Sequence, residues 1–178
     1  MKRALVDVNV VLDVLLARAP HATSATACLA AIESGRFEGL LSAHAVTTVA
    51  YLVGRALGKP GARRAIGDLC TIFGIAPVDE GVIRRAIALA LADFEDAVTA
   101  AAAEASGCEA IITRDATGFA GSPVPALEPA LWLALLGESV SDHPSDTELR
   151  EPSGEYGAKR RRRSPARGAG RARKRAKR

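Results

Sequence analysis

The segment Lys2 to Asp13, KRALVDVNVVLD, constrains the fold more than any other part of the chain. Its apolar run Ala4 to Val6 ends on Asp7, as a buried parallel strand does when it brings a polar residue to the carboxyl edge of a sheet. From Val8 onward, the apolar residues follow the helical period instead. The segment therefore predicts a strand that leads directly into a helix, with Asp7 as the first candidate site residue.

Two further polar residues, Asn9 and Asp13, are spaced i and i+4 on the predicted helix and share one face of it. Each residue also has a purely local explanation: Asn9 as a helix N-cap, Asp13 as a solvated side chain, and Asp7 as a turn residue. A functional interpretation of Asp7 therefore requires that other carboxylates reach the same edge of the sheet.

The rest of the chain continues the alternation of strand and helix. Strands are predicted at 37–42, 109–113 and 124–127, with a brief extended piece at 74–78. Helices are predicted at 21–34, 43–57, 62–73, 80–91, 93–106 and 129–136, and the GKPG segment after Leu57 predicts a turn between two of them. This order is typical of an α/β fold with a central parallel sheet.

The chain divides into residues 1–136, which can bury a core, and a strongly basic tail, 137–178. Residues 1–150 hold 12 Lys and Arg against 18 Asp and Glu, whereas residues 151–178 hold 12 against 2. The tail lacks core-forming side chains, which predicts disorder. Its charge predicts nonspecific attraction to nucleic-acid phosphate, with a solubilising appendage as the alternative.

The three cysteines, Cys28, Cys70 and Cys108, are isolated and odd in number, so neither a disulfide framework nor a zinc site is indicated. A reducing cytoplasm fits this usage. The apolar N-terminal stretch is interrupted by Asp7 and Asn9, which argues against a signal peptide, and no apolar run has the length of a membrane span. We therefore expect a cytoplasmic protein that does not interact with membranes.

Carboxylates from distant parts of the chain are predicted to meet at one edge of the sheet. The strand EAIIT runs directly into Asp115, and the helix that opens with DFED adds Asp96 from its first turn. Together with Asp7, these carboxylates would repel one another unless a cation lay between them. Oxygen ligands of this kind suit Mg²⁺ or Mn²⁺, which predicts metal-dependent phosphodiester hydrolysis.

Local roles remain open for these acidic residues. Asp93 has the position of a helix N-cap, and Asp96 the N3 position of the same acidic capping pattern, which the helix dipole favours in any case. Asp115 has the position of a turn residue after a strand. Of the two residues in the DFED segment, Asp96 is the better candidate ligand, because it begins a run of small residues where backbones pack closely.

Hydroxyl and basic residues near the strand ends are further candidates. Thr113 and Ser42 could bind phosphate or a metal-bound water, although hydroxyls at strand ends more often make local hydrogen bonds. Arg114 could clamp a phosphate, with a solvated arginine as the alternative. Because His44 opens a helix, no histidine is expected at the site, so a histidine base is not predicted.

Four segments together resemble the PIN domain, in the branch similar to VapC-type toxins. They are VDVNVVLD, LSAHAVTTVAYLV, DFEDAVTAAAAEASGCEAIITRD and the GF that follows, and the resemblance covers residues 3–134 in order and spacing. It implies a three-layer α/β/α fold with a central parallel sheet and Mg²⁺- or Mn²⁺-dependent endoribonuclease activity. It also implies a homodimer and inhibition by a cognate antitoxin.

The resemblance assigns the family's acidic positions to particular residues. The first falls on Asp7, the later helix-borne aspartate on Asp96 and the last on Asp115. Asp93 matches a further aspartate common in this branch, and Asn9 matches the polar residue of the opening motif.

The chain departs from the family pattern at several positions. The third predicted helix carries Thr47 and Thr48, with no carboxylate nearby, where the family has its second acidic residue. The metal site is therefore expected to be one ligand short. In addition, Val8 replaces a usual hydroxyl residue, and Gly118 replaces a frequent aspartate.

The function predicted is a metal-dependent endoribonuclease of the toxin type. Its catalytic residues are Asp7, Asp96 and Asp115, which also bind the metal together with Asp93. Its supporting residues are Asn9, Ser42, Thr48 and Thr113, and its RNA-binding residues are Arg114, Arg160 and Arg161. The alternative is a catalytically weak or inactive PIN domain that binds RNA or a partner protein. A phosphoryl-transfer protein with Asp7 as nucleophile is disfavoured, because the sequence reads DVNVV where DxDxT is expected.

Overall fold

The structure, a computed structural model, describes residues 2–137, which lie in one compact unit. The predicted basic tail, including Arg160 and Arg161, lies outside the described residues except for Gly137. No helix within residues 2–137 is long and apolar enough to cross a membrane.

A parallel sheet of five strands forms the centre of the described unit. Its spatial order is β3-β2-β1-β4-β5, so the N-terminal strand is central and is paired on both sides. The strands are β1 (Arg3–Val6), β2 (Glu38–Ser42), β3 (Gly74–Ala76), β4 (Ala110–Ile112) and β5 (Ala126–Leu127). In this register, the residues that directly follow β1 and β4 come side by side at the carboxyl edge.

Helices cover both faces of the sheet. They are α1 (Val8–Leu15), α2 (Ala22–Glu33), α3 (Ala43–Ile72), α4 (Glu80–Leu89), α5 (Phe94–Ala105) and α6 (Pro129–Leu135), with a 3₁₀ helix at Ala116–Phe119. Alternate residues of β1 point to opposite faces, because side chains alternate along a strand. Val6 packs with α1, α2, α3 and α6, whereas Leu5 packs with α4 and α5. The predicted α/β/α fold with a parallel sheet is thus confirmed.

Helix α5 lies close to the sheet because its inner face consists of small side chains. Its residues from Ala97 to Ala103 are all buried, and five of these seven are alanine, at positions 97 and 100 to 103. Small side chains let the helix backbone approach the strands, as the run AVTAAAA led us to expect. As a result, the first turn of α5, which contains acidic residues, lies at the carboxyl edge of the sheet.

The turn predicted at GKPG is a kink within α3. A single residue, Gly58, leaves the helical conformation, with φ of +75°. The helix then resumes with Pro60 in its first turn, where a missing backbone N–H is tolerated. The two predicted helices are therefore present, but one residue separates them.

At Gly39 on β2, the backbone of the sheet lies close to the side chains of Ile32 on α2 and of Phe73, which follows α3. A Cβ atom at this position would lie 2.5 Å from Ile32 Cγ2 and 2.9 Å from Phe73 Cδ1. The exposed Gly67 on α3, in contrast, has no neighbour within 4 Å of a Cβ position.

We expect Gly39→Ala to destabilise the protein by about 1–3 kcal/mol, because the added methyl group forces the core to shift. Gly67→Ala should instead stabilise it by about 0.5–1 kcal/mol, because alanine is the better helix former. Urea denaturation at 25 °C measures both changes. Equal effects of the two substitutions would contradict the close approach at Gly39.

Candidate functional site

Thr113 joins the ends of the two central strands. Its hydroxyl donates a hydrogen bond of 2.7 Å to Asp7 Oδ2, and both residues are buried. The backbone N–H of Asp7 also binds the carbonyl of Ile112 at 2.9 Å, so the pairing of β1 and β4 continues to the position of the carboxylate. Burial raises the pKa of Asp7, while the bond from Thr113 opposes this increase.

The same hydroxyl oxygen accepts two further hydrogen bonds. Asn9 Nδ2 donates at 3.3 Å and the backbone N–H of Asp115 at 3.1 Å. In addition, Asn9 Oδ1 accepts from the backbone N–H of Arg114 at 3.4 Å. Asn9 therefore connects α1 to the segment after β4 and is not the N-cap of its helix, a position that Asp7 occupies.

Asp115 lies at the exposed rim of the site. Its Oδ1 accepts bonds from the Thr117 hydroxyl (2.6 Å) and the Gly118 N–H (3.2 Å). These bonds hold the pKa of Asp115 below its usual value. The turn role predicted for Asp115 is thus present, and its second oxygen, Oδ2, lies near Gly118.

Asp96 stands among other carboxylates, and we refer to Asp7, Asp93, Asp96 and Asp115 as the acidic group. Burial raises the pKa of Asp96 to about 6, with further contributions from the charges of Asp7, Asp93, Asp115 and Glu95. A Cβ atom at Gly118 would lie 2.7 Å from Asp96 Oδ2 and 3.4 Å from Asp115 Oδ2. Gly118 therefore leaves a small space that both carboxylates border.

Asp93 caps α5, as its local interpretation held. Its Oδ1 accepts from the backbone N–H groups of Glu95 (2.7 Å) and Asp96 (3.3 Å). Its charge nevertheless contributes to the raised pKa of Asp96, so Asp93 belongs to the acidic surroundings of the site.

The start of α3 contributes a second group of polar side chains. Ser42 Oγ lies 2.9 Å from His44 Nδ1, and Thr48 Oγ1 donates to Glu95 Oε1 at 3.2 Å. His44 Nε2 lies 3.9 Å from the same Glu95 oxygen. Burial lowers the pKa of His44, and the charge of Glu95 opposes that decrease.

Two expectations about this helix are corrected. A carboxylate does lie next to Thr48, because Glu95 reaches it from α5, so the prediction of no carboxylate nearby was wrong. A histidine, His44, also lies beside Glu95, the neighbour of Asp96 in the sequence, contrary to expectation. The sequence contains Glu95 within DFED, but no local pattern indicates that this side chain turns towards α3.

Asp13 and Arg114 form a separate ion pair. Asp13 is 1% exposed, and its carboxylate lies 3.0 Å from Arg114 Nη1, with Arg18 Nη1 at 3.9 Å. The interpretation of Asp13 as a solvated side chain was therefore wrong. The pair engages the guanidinium of Arg114, the residue predicted to clamp a phosphate, and compensates the charge of Asp13.

The chemistry of the acidic group fits a hard divalent cation. Its donors are carboxylate oxygens, and burial together with their mutual repulsion raises the pKa of Asp96. The carboxylates of Asp96 and Asp115 border the space beside Gly118. Among residues 2–137, no three His, Cys, Asp or Glu side chains are spaced to hold a metal ion directly. The argument for a cation therefore comes from charge and donor type, and not from ligand distances.

A family model described as a PIN domain matches residues 3–117. The chain belongs to the PIN domain family. The match includes Asp7, Asp93, Asp96 and Asp115, and it confirms the resemblance drawn from the sequence motifs. No curated protein sequence matches this PIN domain.

Solved structures of toxins share the fold of this PIN domain. The DNA-bound VapBC of Salmonella typhimurium has a TM-score of 0.58 at 11% identity and covers 72% of this chain and 99% of that chain. A toxin–antitoxin complex from Klebsiella pneumoniae gives 0.55 at 24% identity, covering 71% and 97%. Mycobacterium tuberculosis VapC20, a Sarcin-Ricin loop cleaving toxin, gives 0.52 at 17% identity, covering 61% and 86%. At these identities, the similarity concerns the fold.

We expect Thr113→Val to destabilise this PIN domain by about 2–3 kcal/mol, because it leaves the buried Asp7 carboxylate without its hydroxyl donor. Thr71→Val is the matched control: its exposed hydroxyl binds only a carbonyl of its own helix, so the change should stay within about 0.5 kcal/mol. Urea denaturation measures both. A Thr113→Val protein as stable as the control would contradict the role of this bond.

Asp96→Asn should stabilise the protein in the presence of a chelator. The folded-state pKa of Asp96, about 6, exceeds that of the unfolded chain, so ionisation of Asp96 costs folding free energy as the pH rises from about 4 to 6. At pH 7.5, we expect a gain of about 1 kcal/mol, reduced from the full shift because Asp96 is partly exposed. The gain should be smaller at pH 5.

Urea denaturation in EDTA at pH 7.5 and 5 tests this prediction. Asp68→Asn, at an exposed position on α3, is the control and should change stability little at either pH. If Asp96→Asn were instead less stable than the wild type at pH 7.5, the ionised carboxylate of Asp96 would not destabilise the folded protein.

Proposed function

We propose that this PIN domain is a metal-dependent endoribonuclease of the toxin type, which hydrolyses phosphodiester bonds of RNA. PIN domain proteins of this kind are ribonucleases, and the structural neighbours include toxins of toxin–antitoxin pairs. The observation that most supports the proposal is the meeting of Asp7, Asp96 and Asp115 at the carboxyl edge of the sheet, although more than 100 residues separate the first from the last.

PIN nucleases generally use divalent metal ions, and we propose Mg²⁺ or Mn²⁺ here. Asp7, Asp96 and Asp115 would hold the ion, and Asp93 would act on it through its charge. When bound, such an ion neutralises negative charge on the phosphate and on the leaving oxygen and favours attack by water. The ion would also relieve the repulsion that raises the pKa of Asp96.

Neighbouring groups of the protein would hold the carboxylate of Asp7 in position and keep that of Asp115 ionised. Thr113 and Asn9 fix the buried Asp7, while the hydrogen bonds from Thr117 and Gly118 keep Asp115 ionised at neutral pH. Asp115 is exposed and Asp96 only partly buried, so the site opens at the rim of the sheet. An open rim suits a polymer such as RNA, which must pass along the surface.

Partners of the PIN domain follow from the same proposal. We propose that a cognate antitoxin inhibits the nuclease, that the protein is a homodimer, and that it acts in the cytoplasm, where its three free cysteines stay reduced. Arg160 and Arg161 would contact RNA phosphates without sequence preference, because lysine and arginine bind phosphate through charge. Arg114 would do so only by leaving Asp13.

The second candidate is a catalytically weak PIN domain that binds RNA or a partner protein. Two observations favour it. The family's acidic position on α3 is Thr48, and no three acidic or histidine side chains in residues 2–137 are spaced for direct metal binding. This candidate predicts RNA retention without cleavage.

Cleavage of mixed structured RNAs tests the proposal, with the purified protein in Mn²⁺, Mg²⁺ or EDTA. We expect cleavage with either ion and none in EDTA. Asp96→Asn should reduce the rate by about 100-fold or more, because loss of a direct ligand exceeds the 10–100-fold effect of losing an outer partner. Asp68→Asn, away from the site, should cleave at the wild-type rate.

Two results would contradict the nuclease mechanism: cleavage that persists in EDTA, and an Asp96→Asn protein as active as the wild type. Retention of RNA in a gel-shift assay, with no cleavage in either metal, would instead support the binding module.

A further inference from the structure

The acidic position that α3 lacks has a carboxylate beside it in the folded protein. Thr48 stands at that position, and its hydroxyl donates to Glu95 Oε1 at 3.2 Å, across 47 residues of sequence. Glu95 belongs to the first turn of α5, where negative charge is favoured by the helix dipole. The charge missing from one helix is thus present at the same place, but it comes from another helix.

His44 lies one helical turn before Thr48 and also faces Glu95. Ser42 Oγ lies 2.9 Å from its Nδ1, and Nε2 lies 3.9 Å from Glu95 Oε1. The Nε2 atom is buried and has no hydrogen-bond partner within the described residues. If the Ser42 hydroxyl donates to Nδ1, Nε2 carries its proton on the side of Glu95.

Glu95 acts electrostatically on the acidic group as well as on α3. Its charge contributes to the raised pKa of both Asp7 and Asp96. Glu95 thus contacts α3 directly, through Thr48 and His44, and its charge also reaches Asp7 and Asp96.

We propose that Glu95, positioned by Thr48 and His44, is the fourth carboxylate of the metal site and replaces the acidic residue that α3 lacks. This inference rests on the proposed nuclease function. Glu95 is then one of the carboxylates around the ion, and Thr48 and His44 are the residues that hold Glu95 in position. The expectation of a site with one ligand missing then no longer holds.

Binding of Mn²⁺ to the full-length protein, measured by electron paramagnetic resonance, tests the inference without reference to activity. Glu95→Gln should weaken Mn²⁺ binding by about 10-fold or more, because it removes a charge but little volume. Thr48→Val should weaken it by a smaller factor, since Glu95 keeps its charge but loses a donor. Glu80→Gln, in the equivalent first turn of α4, is the control and should bind as the wild type does.

The decisive variant is the double substitution Glu95→Gln with Thr48→Glu. It moves the carboxylate from α5 to the family's position on α3, so it should recover most of the lost Mn²⁺ affinity and RNA cleavage. Urea denaturation of each variant verifies that it is folded.

The outcomes separate the inference from the proposed function. Wild-type affinity in Glu95→Gln, with metal-dependent cleavage intact, would overturn the inference and leave the nuclease proposal standing. If Thr48→Glu does not restore the Mn²⁺ affinity lost in Glu95→Gln, the inference that Glu95 substitutes for an acidic residue at position 48 is overturned. A wild-type protein that neither binds Mn²⁺ nor cleaves RNA would overturn both proposals.

Discussion

The hydrogen bond from Thr113 to Asp7 is the interaction on which the arrangement of the site depends. It joins two neighbouring central strands at their carboxyl ends, and both partners are buried. A buried carboxylate needs donors to offset its lost hydration, and here a hydroxyl supplies one without neutralising the charge. The same oxygen accepts from Asn9 and from the backbone of Asp115. With one donated and two accepted bonds, the hydroxyl is saturated, so the positions of these residues depend on one another.

Two acidic residues are buried within residues 2–137, Asp7 and Asp13, and their charges are compensated differently. Asp13 meets Arg114 at 3.0 Å, so its charge is compensated within the fold and contributes to structure. Asp7 receives only neutral donors and lies near the negative charges of Asp96 and Glu95. A buried carboxylate without a cation lowers stability, so a fold that needed only stability would not retain one. The uncompensated group is therefore the one to which we assign a ligand, and the stability lost there is a cost of function.

Much of the fold was predictable because it depends on patterns local to the sequence. The strand ending on Asp7, the small-residue helix that begins at DFED and the strand ending before Asp115 each have a periodicity that short segments reveal. The kink at Gly58 was predicted as a longer turn, since glycine and proline indicate a break but not how quickly a helix resumes. Burial of Asp13 was missed because its partner, Arg114, is 101 residues away. The contacts of Glu95 and His44 were missed for the same reason: they join two helices that only the sheet brings together.

Glu95 shows why acidic residues should be counted by their place in the fold and not by their place in a motif. A cation responds to charge and oxygen atoms at a point in space, so a carboxylate from α5 serves as well as one from α3 if both reach that point. Thr48 at the family's acidic position is then the complement of Glu95, because a glutamate at both positions would bring two like charges together. A hydroxyl there donates a hydrogen bond to the neighbouring carboxylate, which holds the carboxylate in its direction and adds no charge. Threonine at position 48 on α3 and glutamate at position 95 on α5 then belong to one arrangement, in which the fourth carboxylate comes from α5.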